Sequence, residues 1–558
     1  MNERMRVALL LAVAMLVYGN TLLNDFTFDD GPYILRNPTV TQLSLRGVFV
    51  PTRASNVFRP VSFATFVLNM AAGGGQPLGF HLFNLLLHAI VTFLLYLVLK
   101  KLLEGLVQGA TIAWVAALLF AVHPIHTEAV ASIVGRFELL AALFLLAAWL
   151  LHLRDWPVFA LLCFVLALMS KESAVVFVLL APAGDYAFGK LKPLQRYGWI
   201  AGVGAVYMAL LWKIQGGRFG PRLISPLDNP LKWLPADLRF LNALRVAWKY
   251  VGLHVYPATL SCDYSYNAIH LYANWRHAIP AAAAAMLVLA LWGWTLWTKR
   301  SEWFLAGAIY LCGFAVTANL FVPTGTIMGE RLAYLPSAGF CLLAALLWTR
   351  LEQGRQKLAW AVLAILVTTL AARTMVRNRD WRDNLSLFSA DVRAEPESAK
   401  MHFALGGEYM QRGQFDAALA ELQISQRIYP DYPEALEFIG ITESQLSHNQ
   451  EALHYFEKGL SMTPRDNPDY DFRAVNLAAQ LLKLGKNDDA LRILNEDIAN
   501  SPGYSRALSN RAVIFYQRGE YQAAREDAEN ALRLDANNPQ AHNLLNIMNA
   551  PAPFTPSR

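Results

Sequence analysis

Charged side chains are scarce in this sequence. Of its 558 residues, 16% are charged and 55% are hydrophobic, and the mean hydropathy is +0.30. Soluble domains carry about 25% charged residues, so this composition argues against an ordinary soluble protein. The formal net charge of +6 lies largely in short loops between apolar stretches, which argues for membrane topology and against nucleic-acid binding.

Several catalytic signatures are also missing. The sequence has no glycine-rich phosphate loop between a strand and a helix, no Gly-x-Ser-x-Gly motif and no paired cysteine motif for a metal ion. ATP-driven transport by this chain alone is therefore not expected. Only four cysteines are present, and only Cys262 lies in a predicted loop, so no disulfide framework is implied.

Long apolar stretches fill the chain up to about residue 376. They predict an all-α fold in which residues 1–379 form a polytopic transmembrane helix bundle of about 11 spans. The spans are predicted at 7–23, 80–99, 109–123, 132–153, 157–170, 173–188, 198–214, 277–298, 303–321, 335–350 and 358–376. Residues 236–256 carry a polar stripe beside an apolar one, which favours a helix on the membrane surface.

The distribution of Lys and Arg sets the expected orientation. Arg4 and Arg6 precede the first span, which lacks a cleavage site and is predicted to be retained inside the membrane. An odd number of crossings then places the C-terminal region on the outer face. The long outer loops are predicted at 24–78, 122–131, 215–276 and 322–334.

The polar C-terminal region repeats itself. Pro430 and Pro464 lie one tetratricopeptide period apart, about 34 residues, with Leu405, Gly406 and Ala418 at the positions expected for a first repeat. We predict a linker at 380–397, an α-solenoid of about four repeats with a capping helix at 398–550, and a tail at 551–558. The groove of such an array binds extended peptides or partner helices.

The outer loops hold the residues best suited to chemistry. Asp29 and Asp30 are adjacent carboxylates just beyond a span, where one could act as a general base. The same Asp-Asp-Gly-Pro stretch also suits a turn or a helix N-cap, and both interpretations stay open. Arg331, beside Glu330, is placed to bind a phosphate diester at the membrane surface.

Polar residues near the membrane offer further candidates. His81 shares a helix face with Asn84 and His88, a pattern typical of interhelical hydrogen bonds. His123, His126 and Glu128 have the residue types of a divalent metal site, although Pro124 interrupts the helix between the histidines. Positioning of a phosphate or an acceptor is the alternative for these three residues. For Lys171 and Glu172, the simplest interpretation is an ion pair between the two side chains.

A series of short motifs, in a fixed order over nearly the whole chain, resembles the transmembrane and TPR-containing O-mannosyltransferases (TMTC) of the GT-C glycosyltransferase superfamily. The matching stretches include Phe28-Asp29-Asp30, Phe58-Arg59-Pro60, Phe80-His81, His123-Pro124-Ile125-His126-Thr127-Glu128, Gly135-Arg136, Ser170-Lys171-Glu172, Leu260-Ser261-Cys262-Asp263-Tyr264-Ser265 and Gly329-Glu330-Arg331. The resemblance implies a GT-C-type bundle and a polyprenyl- or dolichyl-phosphate sugar donor, usually mannose. It also implies a Ser or Thr acceptor on a protein and a catalytic acidic pair in the first outer loop.

The expected site follows from this resemblance and from the chemistry of a phosphate leaving group. Asp29 is the expected base and Asp30 its partner or substitute. Candidates for binding the donor phosphate are Arg331, Arg136, Lys171 and Arg59. Further site candidates are His123, His126, Glu128, His81 and Glu330. No cofactor is firmly predicted, and a divalent metal ion is left open.

The predicted function is transfer of a sugar from a lipid-phosphate carrier to a protein held by the repeats, with inversion, on the outer face of the membrane. That face is periplasmic in a bacterium and lumenal in the endoplasmic reticulum. Two alternatives are kept: an oligosaccharyltransferase or glycolipid-modifying GT-C transferase, and a non-enzymatic scaffold whose repeats recruit partners. The sequence identifies neither the sugar nor the acceptor.

Overall fold

The computed structural model describes residues 2–51, 57–217, 219, 224–320 and 323–549. The chain divides into two compact units, Met1–Lys400 and Met401–Arg558. Within the described residues, all regular secondary structure is helical. The predicted all-α fold class is therefore confirmed, while the predicted tail at 551–558 lies outside the described residues.

The first unit contains sixteen α-helices among the described residues. They are α1 Glu3–Tyr18, α2 Pro38–Thr41, α3 Pro60–Gly73, α4 Pro77–Leu102, α5 Gly109–Val122, α6 Thr127–Ala131, α7 Arg136–Leu153, α8 Pro157–Ser170, α9 Phe177–Ala187, α10 Leu194–Ile214, α11 Ala236–Val255, α12 Trp275–Trp297, α13 Ser301–Phe314, α14 Ser337–Gly354, α15 Gln356–Asp380 and α16 Asn384–Ala394. Short helical turns at Gly19–Leu23, Gly31–Leu35, Gly47–Phe49, Pro124–His126, Glu172–Val176, Pro230–Trp233 and Glu330–Ala333 connect them.

Six helical segments of the described chain are long and apolar enough to cross a membrane. They are Glu3–Leu23, Pro77–Leu102, Arg136–Leu153, Leu194–Ile214, Trp275–Trp297 and Gln356–Asp380, and α5 with the helical turn and α6 would make a seventh if that bent pair counts as one span. The predicted count of about 11 is not confirmed. Several predicted spans correspond to shorter helices, such as α8 with 14 residues and α9 with 11.

Burial separates the inner helices of this unit from the outer ones. Helix α4 packs against α5 and α7, and most of the apolar stretch of α7 is buried. Helix α12 is the opposite, because large apolar side chains such as Met286, Leu287 and Trp297 are exposed along it. An apolar surface of this extent suits contact with lipid, so the helices fit a membrane protein.

The predicted outer loops have apolar cores of their own. One core contains Leu231, Tyr250, Tyr264 and Ile327, and it lies beneath the segment that carries residues 329–333. Another joins residues of the first loop, such as Ile34, to aromatic side chains of α3, α4 and α7. These cores support the described parts of these loops, and such support is a requirement for a precise site geometry.

The second unit is built from consecutive helix pairs. Its helices are α17 Ala399–Gln411, α18 Phe415–Ile428, α19 Pro433–Gln445, α20 Asn449–Ser461, α21 Tyr470–Lys483, α22 Asn487–Asn500, α23 Ser505–Gln517, α24 Tyr521–Leu534 and α25 Pro539–Asn549. Small residues allow the paired helices to approach closely. A Cβ atom on Gly440 would lie 2.8 Å from the Phe456 ring, and Ala452 is fully buried.

The segment predicted as a linker, 380–397, contains helix α16. This helix belongs to the first unit, in which Asp391 is buried and pairs with Arg377 of α15 at 2.8 Å. The boundary between the compact units lies after Lys400, whereas the sequence placed the start of the array at residue 398.

Candidate active site

Asp30 is a structural anchor of the first predicted outer loop, 24–78. Its side chain is fully buried, and its carboxylate accepts hydrogen bonds from the backbone N–H groups of Thr27 at 3.0 Å and Val134 at 2.9 Å. Burial raises the pKa of Asp30 to about 7. The carboxylate therefore ties the loop to the turn before α7.

Asp29 points to a different environment. Its Oδ2 lies 2.9 Å from Nη1 of Arg331, and the same Nη1 lies 2.8 Å from Oε1 of Glu128. The backbone N–H of Arg331 also donates to Glu128 Oε2 at 2.8 Å. One guanidinium thus bridges two carboxylates that the sequence separates by about a hundred residues.

Exposure divides the three members of this cluster. The side chains of Asp29 and Arg331 are 24% and 25% exposed, whereas Glu128 is fully buried beneath them. Burial alone would lower the pKa of Arg331, but the Glu128 and Asp29 carboxylates outweigh it and raise that pKa above its ordinary value. Arg331 is therefore a permanent cation that a ligand can reach.

Two further ion pairs involve predicted phosphate-binding residues. Lys171 pairs with Glu138, and Arg59 pairs with Glu172 through two hydrogen bonds of 2.6 and 3.0 Å. Burial raises the pKa of Glu172, but the Arg59 guanidinium outweighs it and lowers the pKa to about 2. The simple pairing of Lys171 with Glu172 is wrong, because each residue has a partner from another element.

The side chain of Arg136 is buried and fully hydrogen-bonded in the protein interior. It is fully buried at the start of α7, and its Nε donates to Asn84 Oδ1 at 2.8 Å. Its other two guanidinium nitrogens donate to Asn69 at 2.6 Å and to the carbonyl oxygen of Phe80 at 2.9 Å. All three nitrogens are occupied, so the geometry does not favour Arg136 as a ligand for a phosphate. His81, the next residue after Phe80, is also fully buried.

The histidine motif packs inside the unit. His123 Nδ1 accepts a hydrogen bond from the Ile125 N–H at 3.2 Å, and its Nε2 lies 3.0 Å from the carbonyl oxygen of His254. His126 Nε2 lies 2.7 Å from Ser337 Oγ. Among the described residues, no group of three or more His, Cys, Asp and Glu side chains could hold a metal ion. The motif therefore supports the turn that carries Glu128.

Glu330 supports the position of Arg331. It is fully buried, and its Oε1 accepts hydrogen bonds from the Ser261 N–H at 2.7 Å and from the Tyr264 hydroxyl at 2.6 Å. Burial raises the pKa of Glu330 to about 8. The Leu260–Ser265 motif thus fixes Glu330 by hydrogen bonds, and with it the segment that carries Arg331.

Sequence reasoning did not assign roles to Glu138 or Tyr264, and it gave Glu172 only the pairing with Lys171. Each carries a signal in hindsight, because each belongs to one of the short motifs or follows Arg136 closely. Their partners come from other elements, such as Glu138 and Lys171, which are 33 residues apart. Pairing of that kind is set by tertiary packing and not by local spacing.

Comparison with known proteins supports the resemblance. The family model described as "Tetratricopeptide repeat" matches residues 369–433 and 475–541. The chain is 27% identical over 594 residues to the mouse (Mus musculus) protein O-mannosyl-transferase TMTC3, which covers 95% of this chain and 64% of that protein. It is 30% identical over 412 residues to the Caenorhabditis elegans protein O-mannosyl-transferase F38B6.6, covering 71% of this chain and 59% of that protein.

Among solved structures, the tetratricopeptide protein YrrB matches 35% of this chain and 96% of its own, with 15% identity and a TM-score of 0.25. The chain spans less than two thirds of the length of the two O-mannosyl-transferases named above. The chain is thus a helical protein with tetratricopeptide repeats, similar over most of its length to proteins named TMTC protein O-mannosyl-transferases.

Proposed function

We propose that this protein is an O-mannosyltransferase of the membrane, which moves mannose from a polyprenyl- or dolichyl-phosphate carrier to Ser or Thr hydroxyls of a protein. The observation that carries the proposal is the partly exposed pair of Asp29 and Arg331, 2.9 Å apart. A base and a phosphate-binding cation are the two groups that this reaction requires. The names of the relatives agree with this activity.

The proposed chemistry is a direct displacement at the anomeric carbon. The acceptor hydroxyl oxygen forms a bond to that carbon while the bond between the carbon and the phosphate oxygen breaks. The electron pair of the broken bond remains on the lipid phosphate, and Asp29 takes the proton of the hydroxyl. Arg331 stabilises the charge that develops on the phosphate, and the anomeric configuration inverts.

The ion pair describes the site before the donor binds. A phosphate diester would compete with Asp29 for the exposed edge of Arg331, while buried Glu128 would keep the guanidinium in place. Binding of the donor would then release Asp29 as a base. Lys171 and Arg59 offer additional positive charge, although each already pairs with a carboxylate.

Asp29→Asn tests the base directly. The substitution keeps the shape of the side chain and removes its ability to accept a proton, so we expect mannose transfer to fall by about 10²–10⁴-fold. The assay would follow transfer from polyprenyl-phosphate mannose to a Ser- and Thr-rich peptide by the purified protein. Asp25→Asn is the matched control, because Asp25 is an exposed carboxylate of the same loop. Near-normal transfer by Asp29→Asn would refute the assignment.

The proposed topology places the site and the repeats on the outer face of the membrane, which is the periplasm or the lumen of the endoplasmic reticulum. The positive charges near residues 100 and 101 support this orientation. Exposed positions provide reporters: Ser461→Cys in the repeats, and Val107→Cys in a predicted inner loop. An impermeant thiol reagent should label Ser461→Cys in intact cells and Val107→Cys only after permeabilisation. The reverse pattern would contradict the proposed orientation.

A further inference from the structure

Asp29 and Arg331 are 302 residues apart in the sequence. Hydrogen bonds nevertheless connect the segments that carry them, directly or through another segment, to the same helix, α16 (Asn384–Ala394). This helix contributes none of the charged groups of the site. It was predicted as part of a linker and has no assigned role in the chemistry. Its hydrogen bonds nevertheless connect to the segment that carries Asp29 and, indirectly, to the segment that carries Arg331.

The contacts with the Asp29 loop are direct. Asn384 Oδ1 accepts a hydrogen bond from the Phe28 N–H at 2.9 Å, immediately before Asp29. The Phe28 ring packs edge to face on Phe388, with centroids 6.1 Å apart. Phe28 has a φ of 48°, in the left-handed region that a residue other than glycine adopts only when its surroundings impose it. The Asp25 N–H also donates to the Arg382 carbonyl oxygen at 2.8 Å.

The contacts with the Arg331 segment are indirect. Asp391 of α16 is fully buried and accepts a hydrogen bond from the Cys262 N–H at 2.7 Å. The preceding Ser261 N–H donates to Glu330 at 2.7 Å, and Glu330 directly precedes Arg331 in the sequence. Asp391 also pairs with Arg377 of α15 at 2.8 Å, which fixes α16 itself. One helix therefore supports both halves of the site.

We propose that α16 positions Asp29 opposite Arg331, and that Asn384, assisted by Phe388, is the positioning residue that sets the backbone of the Asp29 loop. The proposal rests on the proposed function, because it assumes that Asp29 takes the proton of the acceptor. Asn384 touches no reacting atom and acts through the Phe28 backbone. Its contribution is to the geometry of the base, and not to the affinity for the donor, which depends on Arg331.

Loss of the hydrogen bond to Phe28 should therefore have a selective effect. Displacement of a catalytic group by about 1 Å can lower a rate by about 10²-fold, so we expect kcat to fall at least about tenfold in Asn384→Ala. The Kd for polyprenyl-phosphate mannose should stay within about twofold of the wild-type value, because Arg331 and its partners are unchanged. A purely structural role would instead lower donor binding, thermal stability and kcat together.

The experiment compares four variants of the full-length protein. One assay follows the consumption of polyprenyl-phosphate mannose, both by transfer of mannose to a peptide and by hydrolysis. Asn384→Asp keeps the oxygen that accepts the Phe28 N–H and should recover most of the kcat lost in Asn384→Ala. Arg393→Ala changes an exposed side chain of the same helix and should behave as the wild type. Asp29→Asn reports whether the proposed base is correct.

The outcomes separate the two proposals. An inactive Asp29→Asn with full kcat in Asn384→Ala would overturn the role of α16 and leave the proposed function intact. Full activity of Asp29→Asn, or no activity in the wild type, would overturn the proposed function and this proposal with it. If Asn384→Ala does not fold, the kcat of Phe388→Leu tests the proposal in its place. It removes the ring that supports Phe28, so unchanged kcat in this variant would overturn the proposal.

Discussion

The two units of the chain both bury carboxylates, and one site from each unit shows a different way of compensating the buried charge. In the first unit, Glu128 lies under Arg331, and Glu138 lies against Lys171. In the second unit, Asp497 is 1% exposed, and neither of its oxygens has a hydrogen-bond partner among the described residues. Burial, with a smaller effect from the charge of Asp471, raises the pKa of Asp497 to about 7.

This difference indicates where chemistry can take place. A neighbouring cation favours the ionised form of a carboxylate, and a base requires that form. Protonation instead neutralises a carboxylate that packing has buried, and such a group affects stability more than reactivity. The cluster of Asp29, Glu128 and Arg331 therefore suits the proposed chemistry, whereas Asp497 is suited to an effect on stability.

Among substitutions that keep the positive charge at position 331, Arg331→Lys should weaken donor binding by the first unit strongly. Lysine cannot reproduce the planar guanidinium that bridges two carboxylates and would bind a phosphate. Loss of a charge-assisted hydrogen bond corresponds to roughly 1.5–3 kcal/mol, so we expect donor affinity to fall by about 10–100-fold. Equilibrium binding of polyprenyl-phosphate mannose to the purified protein measures this change.

Arg36→Lys is the matched control for Arg331→Lys, because Arg36 is an exposed arginine of the first outer loop. Its donor affinity should equal that of the wild type. If Arg331→Lys also binds the donor normally, the phosphate is held elsewhere, and the contrast between the two units loses its main support.

A smaller effect is expected in the second unit, where pH should change stability. Between its ordinary pKa of 3.8 and about 7, Asp497 holds a proton in the folded state but not in the unfolded state. The free energy of unfolding should therefore fall as the pH rises through this range, by at most about 1.4 kcal/mol per pH unit for one group. Glu437, whose pKa burial also raises to about 7, adds to the same trend.

Thermal melting of the purified repeat array at pH 5 and pH 8 measures this trend. Asp497→Asn should melt higher than the wild type at pH 8 and show a weaker dependence on pH. Asp489→Asn alters an exposed carboxylate of the same helix, α22, and should melt as the wild type does at both values. Equal stability of the wild type at pH 5 and pH 8 would contradict the assignment of Asp497.

The helices of the fold were largely predictable, and six of the predicted spans overlap segments that are long and apolar enough to cross a membrane, while the predicted number of crossings is not confirmed. The predicted span at 80–99 lies within Pro77–Leu102, and the repeat spacing agrees with the family model. The predicted span at 157–170 is a helix of 14 residues, and the span at 173–188 is a short helical turn followed by a helix of 11 residues, both shorter than a typical crossing helix. Apolar composition identifies such segments, but it does not reveal that a helix is short and packed within a bundle.

The candidate site was predictable only in part. Asp29 and Arg331 could be selected because they belong to ordered motifs in outer loops. The burial of Asp30 and the interior contacts of Arg136 depend on contacts with distant elements, such as Val134 and Phe80. The role of α16 was hidden for the same reason, since its short and mixed sequence looks like a linker.

The most direct test of the division between the units is to remove the second unit after Lys400 and measure two reactions of the same purified protein. The shortened protein should bind polyprenyl-phosphate mannose and hydrolyse it at the wild-type rate, because Asp29, Arg331 and α16 all lie in the first unit. Transfer to a protein acceptor should fall sharply, since a tethered groove raises the local acceptor concentration to about the millimolar range. Unchanged protein transfer, or loss of donor binding by a well-folded shortened protein, would contradict the account.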